Sequence, residues 1–362
     1  MIVARPDLVS IALRDPRALP GWALAKWEAL IRQARRANLI SRLAVLLDER
    51  GLLQDVPAAP RAHLRAALVV SQAQAEAVRR EVAYVRKALT RTGADIVLLK
   101  GAAYLFAALP PAHGRVFTDV DILVPEIALA EVEAALMLHG WATTHHDPYD
   151  QRYYRRWMHE LPPLLHVTRE TVLDVHHAIL PPTARLKPDS AKLLQASQPV
   201  VGEPGLRVLA PCDMVLHSAT HLFFNEELAS GLRDLADLDS LLRHFGGQAE
   251  FWQQLTARAR ELDLARPLYY ALRYTRHILA TPVPDPALKA AEIGRPPNVL
   301  NRLMDALFLR ALQPDHPAAA DRLTPLARRS LYVRGHWLRM PPHLLAYHLT
   351  VKAFRSEKGD AS

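Results

Sequence analysis

Residues 119–124, Asp-Val-Asp-Ile-Leu-Val, confine two carboxylates to alternate positions of an otherwise apolar run. Residues two apart on a strand point to one face, so Asp119 and Asp121 are expected to converge on one side of a sheet. Two like charges held that close repel unless a cation lies between them. A hard, oxygen-seeking dication such as Mg2+ or Mn2+ meets that need. A third carboxylate, Asp174, stands in its own apolar frame, Val172-Leu-Asp-Val175, on a stretch able to pair beside the first. Three carboxylates from two neighbouring strands can hold two ions roughly 3.5–4 Å apart, the arrangement that supports in-line displacement at phosphorus.

Apolar periodicity divides the 362 residues into three stretches. Residues 1–92 form an N-terminal helical region: Trp22, Trp27, Leu30, Ile31 and Ala34 recur at helical spacing, and a second long helix is expected over 61–91, stopped by Gly93. Residues 93–209 change period, with strands expected at 95–99, 119–124, 164–168 and 171–176. Helices are expected from Gly101 to about 108 and from Pro125 to 139. Residues 210–362 return to helix, at 213–224, 228–245, 248–262, 265–279 and 297–312, followed by a basic stretch to 354 and a tail expected to fray. The fold class is α+β, a small mixed sheet with flanking helices. Irregular alternation of strand and helix argues against a fully parallel sheet.

Composition removes several alternatives. Half the residues are hydrophobic and 23% charged, which excludes a disordered chain. No apolar run approaches the roughly 18–20 residues of a membrane span, and no export signal opens the chain. The single cysteine, Cys212, excludes an internal disulfide and a multi-cysteine zinc site. A cytoplasmic protein is expected. Its surplus of 8 basic over acidic residues favours phosphate-bearing partners, although most of it is arginine scattered along helices, where a solvated face is the ordinary explanation.

Upstream of the aspartates, Leu98-Leu-Lys-Gly-Ala102 reads as a strand end, a glycine and a helix start, where backbone N–H groups and Lys100 could meet a phosphate. Arg115 could fork onto a triphosphate oxygen or order the loop that carries Asp119. These residues, with 118–124 and 173–176, resemble the polymerase β-like nucleotidyltransferase superfamily. Within it they look like a bacterial group with Lys-Gly at the turn and Arg…Asp-x-Asp downstream. The resemblance runs on to about residue 242, including His217 and the segment 233–237. It implies metal-dependent transfer of a nucleoside monophosphate from a nucleoside triphosphate, with pyrophosphate leaving. Asp119, Asp121 and Asp174 fall on the metal-binding carboxylates, and Gly101 on the glycine that approaches the triphosphate; Lys100, Arg115, His217 and Asp237 are expected around the nucleotide. Ala102 departs from the usual serine.

Other residues carry two readings each. His176 shares the face of Asp174 and could touch the metal site or the acceptor, or end its strand on backbone hydrogen bonds. His217 and His221, one helical turn apart, have zinc spacing but no evident third ligand, and suit packing. Arg233 and Asp237 could pair as helix neighbours, or Asp237 could face the cleft. The segment with His145, His146, Tyr149, Arg152, Tyr153, Tyr154, Arg155, Arg156 and Trp157 suits stacking on bases or holding an acidic acceptor, and equally a helix packed on the sheet. The acceptor itself, whether a small-molecule hydroxyl, a peptide or protein side chain, or an RNA end, is left open. So are two rivals on the same fold: a catalytically silent nucleotide- or RNA-binding module, and an interaction partner of the antitoxin kind.

Overall fold

The structure, a computed structural model, describes residues 7–145, 147–225 and 228–347. His146 and the expected basic end and tail beyond 347 lie outside the described residues. The first stretch is helical, with α1 (Leu8–Arg14), α2 (Leu24–Arg36), α3 (Ile40–Glu49) and the long α4 (Ala58–Leu89). Trp27, Leu30, Ile31 and Ala34 form the buried stripe of α2, and Gly93 follows α4 with φ of 64°, a left-handed conformation that costs glycine nothing.

The middle stretch runs β1 (Ile96–Leu98), α5 (Lys100–Phe106), β2 (Val120–Leu123), α6 (Leu129–Leu138), β3 (Trp141–Thr143), α7 (Pro148–Trp157), β4 (Leu164–His166), β5 (Val172–His176), α8 (Ser190–Ala196), β6 (Gln198–Pro199) and β7 (Leu206–Val208). Pro125 ends a strand as expected, but a 3-10 turn precedes α6. Strands β3, β6 and β7 are two or three residues long, too short for alternation to mark them in sequence. The last stretch holds α9 (Pro211–Phe224), α10 (Gly231–Phe245), α11 (Phe251–Glu261), α12 (Ala265–Leu279), α13 (Asp285–Ala291), α14 (Asn298–Ala311) and α15 (Thr324–Arg339).

All seven strands join one mixed sheet in the order β3-β4-β5-β2-β1-β7-β6. Only β1–β7 and β2–β5 pair in parallel. The β4–β5 hairpin turns through Glu170 at φ of 56°. It is pinned to α4 by Arg169, whose Nε and Nη2 donate to Glu81 at 2.8 and 3.0 Å. The apolar side chains of all three stretches meet in a single buried core, and α1 packs against α12, so chain start and later helices touch.

Candidate active site on the central strands

Strand register creates the site. Asp121 in β2 lies directly beside Asp174 in β5, and Leu123 beside His176. Neighbours in register share a face, so the two carboxylates stand side by side across a parallel pair. Asp119 falls one residue ahead of β2 rather than inside it. It is partly exposed, and Thr118 Oγ1 donates to its Oδ1 at 3.0 Å.

The expected positive charge among the aspartates comes here from Lys100. Its Nζ donates to Asp121 Oδ1 at 2.8 Å. Lys100, expected to face phosphate, holds φ of 45° at the start of α5 and turns onto Asp121. Burial opposes ionisation of Asp121, but Lys100 and a hydrogen bond from His176 outweigh it and hold the carboxyl well below its usual range. Asp174 goes the other way. Burial and the Asp121 charge push it up to about 7, and its Oδ1 is buried without a hydrogen-bond partner. Burial and Asp121 raise Asp119 too.

His176 is buried between two carboxylates. Its Nε2 lies 3.0 Å from Asp121 Oδ1 and its Nδ1 3.1 Å from Glu160 Oε2. Burial disfavours the imidazolium, yet the two carboxylates raise its pKa. The site opens into a cavity of about 410 Å³, walled by Lys100, Asp174 and His176, by Asp150, Tyr153 and Tyr154 of α7, by His221 of α9 and by His336 and Arg339 of α15.

The remaining expected residues divide. Tyr153 lines the cavity, as does His145. Arg152 is exposed and not part of that wall, and Arg155 donates to Glu133 of α6 at 2.8 and 2.5 Å. His217 is buried and does not line the cavity. Burial and Lys100 hold His221 down at about 3 and His217 well below its usual value. The Arg233–Asp237 pair does not form. Arg233 Nη2 turns to Asp234 at 2.8 Å, while buried Asp237 accepts from Arg42 Nη2 at 2.6 Å and from Arg115 Nη1. Arg115 is itself buried, so its charge is committed to Asp237, the loop-ordering alternative, and not turned to open solvent.

Gly101 is explained by that packing: a Cβ there would stand 2.7 Å from Arg115 Nε and 3.0 Å from the Phe117 ring. His159, Glu160, Arg42, His336 and Arg339 belong to the site or its support. No sequence pattern singled out the first three, and the basic, amphipathic stretch 328–339 that holds the other two reads as a packing helix, not as a cavity wall. His159 and Glu160 follow the aromatic segment without strand alternation, and Arg42 sits on an otherwise apolar helix face.

Three carboxylates on one side, one with an orphaned buried oxygen, form a hard donor set that fits a divalent cation. They do not close as tightly as His159, Glu160 and His176. Those three are the one group among the described residues whose ligand atoms all lie within 4.8 Å of one another. The model of a protein family described as uncharacterised nucleotidyltransferase matches residues 24–280. No curated protein and no solved structure matches the chain.

Proposed function

The chain belongs to the uncharacterised nucleotidyltransferase family, and on that premise we propose that it transfers a nucleoside monophosphate from a nucleoside triphosphate to an acceptor hydroxyl, releasing pyrophosphate, with Mg2+ or Mn2+. The observation that carries this reading is the register of Asp121 against Asp174, with Asp119 two residues before and Lys100 bonded to Asp121. Asp119, Asp121 and Asp174 would hold the dication. When bound, it neutralises the triphosphate and stabilises charge on the leaving pyrophosphate.

The rest is done by the chain's own groups. Asp174 Oδ1, buried without a hydrogen-bond partner, accepts the proton of the attacking hydroxyl. The hydroxyl oxygen bonds to the α-phosphorus as the bond to pyrophosphate breaks. Lys100 supplies fixed positive charge where negative charge gathers. The Arg42–Asp237–Arg115 cluster holds the loop before β2 and so aims Asp119. The cavity beyond Asp174 receives the acceptor. Its aromatic, histidine and carboxylate walls suit hydrogen bonding to a polyhydroxylated small molecule or a protruding side chain.

One observation favours a second reading. The Lys100 ammonium already sits on Asp121, as it would in a silent nucleotide-binding module that uses no metal. Calorimetry with each ribonucleoside triphosphate in Mg2+, Mn2+ and chelator separates the two. The enzyme reading expects metal-dependent binding that Asp121→Asn abolishes, and binding indifferent to both chelator and substitution would establish the silent module instead.

A further inference from the structure

We propose that His159, Glu160 and His176 form a separate site for a first-row transition dication such as Zn2+ or Co2+. One ligand atom of each lies within 4.8 Å of the other two. The geometry is fixed by main chain: Glu160 bridges His176 in antiparallel fashion, Leu161 N donates to Val175 O at 2.9 Å and His177 N to His159 O at 2.9 Å. The short segment 159–161 is thus stitched along the end of β5.

The ring nitrogens are disposed as a metal site requires. His176 Nδ1 and His159 Nε2 both face Glu160 Oε2, at 3.1 and 3.9 Å. The other nitrogen of His176, Nε2, lies 3.0 Å from Asp121 Oδ1. A metal-binding imidazole commonly donates its second N–H to a carboxylate, which fixes the ring and its tautomer. An ion between these groups takes the place of the proton on His176 Nδ1 and leaves the bond to Asp121 intact.

A second observation points to a ligand. His159 Nε2, the nitrogen turned to Glu160, makes no hydrogen bond among the described residues, since 3.9 Å is too long for one. In the neutral tautomer protonated on Nδ1, that nitrogen offers its lone pair to an ion. Two imidazoles and one carboxylate are softer than three aspartates and select zinc-like ions over Mg2+. All three residues also line the 410 Å³ cavity, so coordination positions remain open to water or to a bound molecule, as at three-ligand zinc sites. The site stands whether or not the aspartates carry out transfer.

Cobalt is the probe, since Co2+ bound to nitrogen and oxygen donors absorbs in the visible. The full chain, stripped with chelator, is titrated with CoCl2 and then with ZnCl2. The expected result is a d–d band that saturates at one equivalent of Co2+ and that Zn2+ displaces. Affinity should fall at least tenfold in His159→Ala and be unchanged in Asp119→Asn. Glu160→Gln carries the same expectation should His159→Ala melt at a lower temperature than the parent. Absence of the band in the unsubstituted chain overturns the proposal. So does equal binding by both variants of the trio, or a band lost in Asp119→Asn and kept in His159→Ala, which would put the ion on the aspartates. Triphosphate binding in Mg2+, measured on the same variants, reports separately on the transferase reading.

Discussion

At the scale of the residue, Asp174 binds two properties together: a carboxyl pushed up to about 7 by burial and Asp121, and a buried oxygen with nothing to bond. An unfolded aspartate loses its proton near pH 4. Between those values the folded chain keeps a proton that the unfolded chain has released, so this group's contribution to stability falls as pH rises through the window. Asn cannot ionise. Asp174→Asn in chelator should therefore match the parent below about pH 4 and gain on it up to about pH 7, by a margin on the order of a few kcal/mol. Urea denaturation at pH 4, 5.5 and 7 reads the margin, and a margin independent of pH would show that Asp174 is not the cause. At Gly101 a methyl group would collide with Arg115 and Phe117. Gly101→Ala should cost about 1–3 kcal/mol, seen as a lower melting temperature, and the displaced Arg115 should weaken triphosphate binding in proportion.

Elements are held to one another by a few buried ion pairs. Asp237 joins α10 to α3 through Arg42 and to the loop before β2 through Arg115, with all three side chains buried. Removing the carboxylate leaves two guanidinium groups uncompensated, so Asp237→Ala should cost about 3–5 kcal/mol, measured by chemical denaturation. A loss under 1 kcal/mol would mean that the arginines find water instead. This clamp also marks the limit of what the chain discloses before it folds. The strand carrying Asp121 and the strand carrying Asp174 followed from their apolar runs, because period and burial are local properties, while the register that sets the two carboxylates side by side came only with the sheet. The partner of Asp237 did not follow. Helical spacing proposed Arg233, four residues away, whereas the real partners lie about 195 and 122 positions distant. His159 and Glu160 were hidden for the same reason: they reach the site through a bridge to β5 that no local pattern records.

For the whole molecule, the cavity wall is informative. His336 and Arg339 reach it from α15, which lies beyond the residues 24–280 matched by the family. The helix is anchored by buried Leu331, by Arg334 donating to Phe223 O at 2.8 Å and by Arg185 lying over the Trp337 ring. Leu331→Ala should cost about 2–5 kcal/mol and leave any metal-dependent triphosphate affinity as it was, since Leu331 anchors the helix and is not itself part of the cavity wall. Calorimetry on that variant checks both halves of the expectation. The parallel pairing of β2 with β5 has one more consequence, and it concerns time. The β4–β5 hairpin and the long helices can form from neighbouring residues, but Asp121 meets Asp174 only when strands about fifty positions apart align, a non-local and therefore slow event. A chain released from the ribosome or diluted from denaturant should thus acquire its helical signal first and its nucleotide affinity last, so that ligand binding during refolding serves as a clock for the final closure of the sheet.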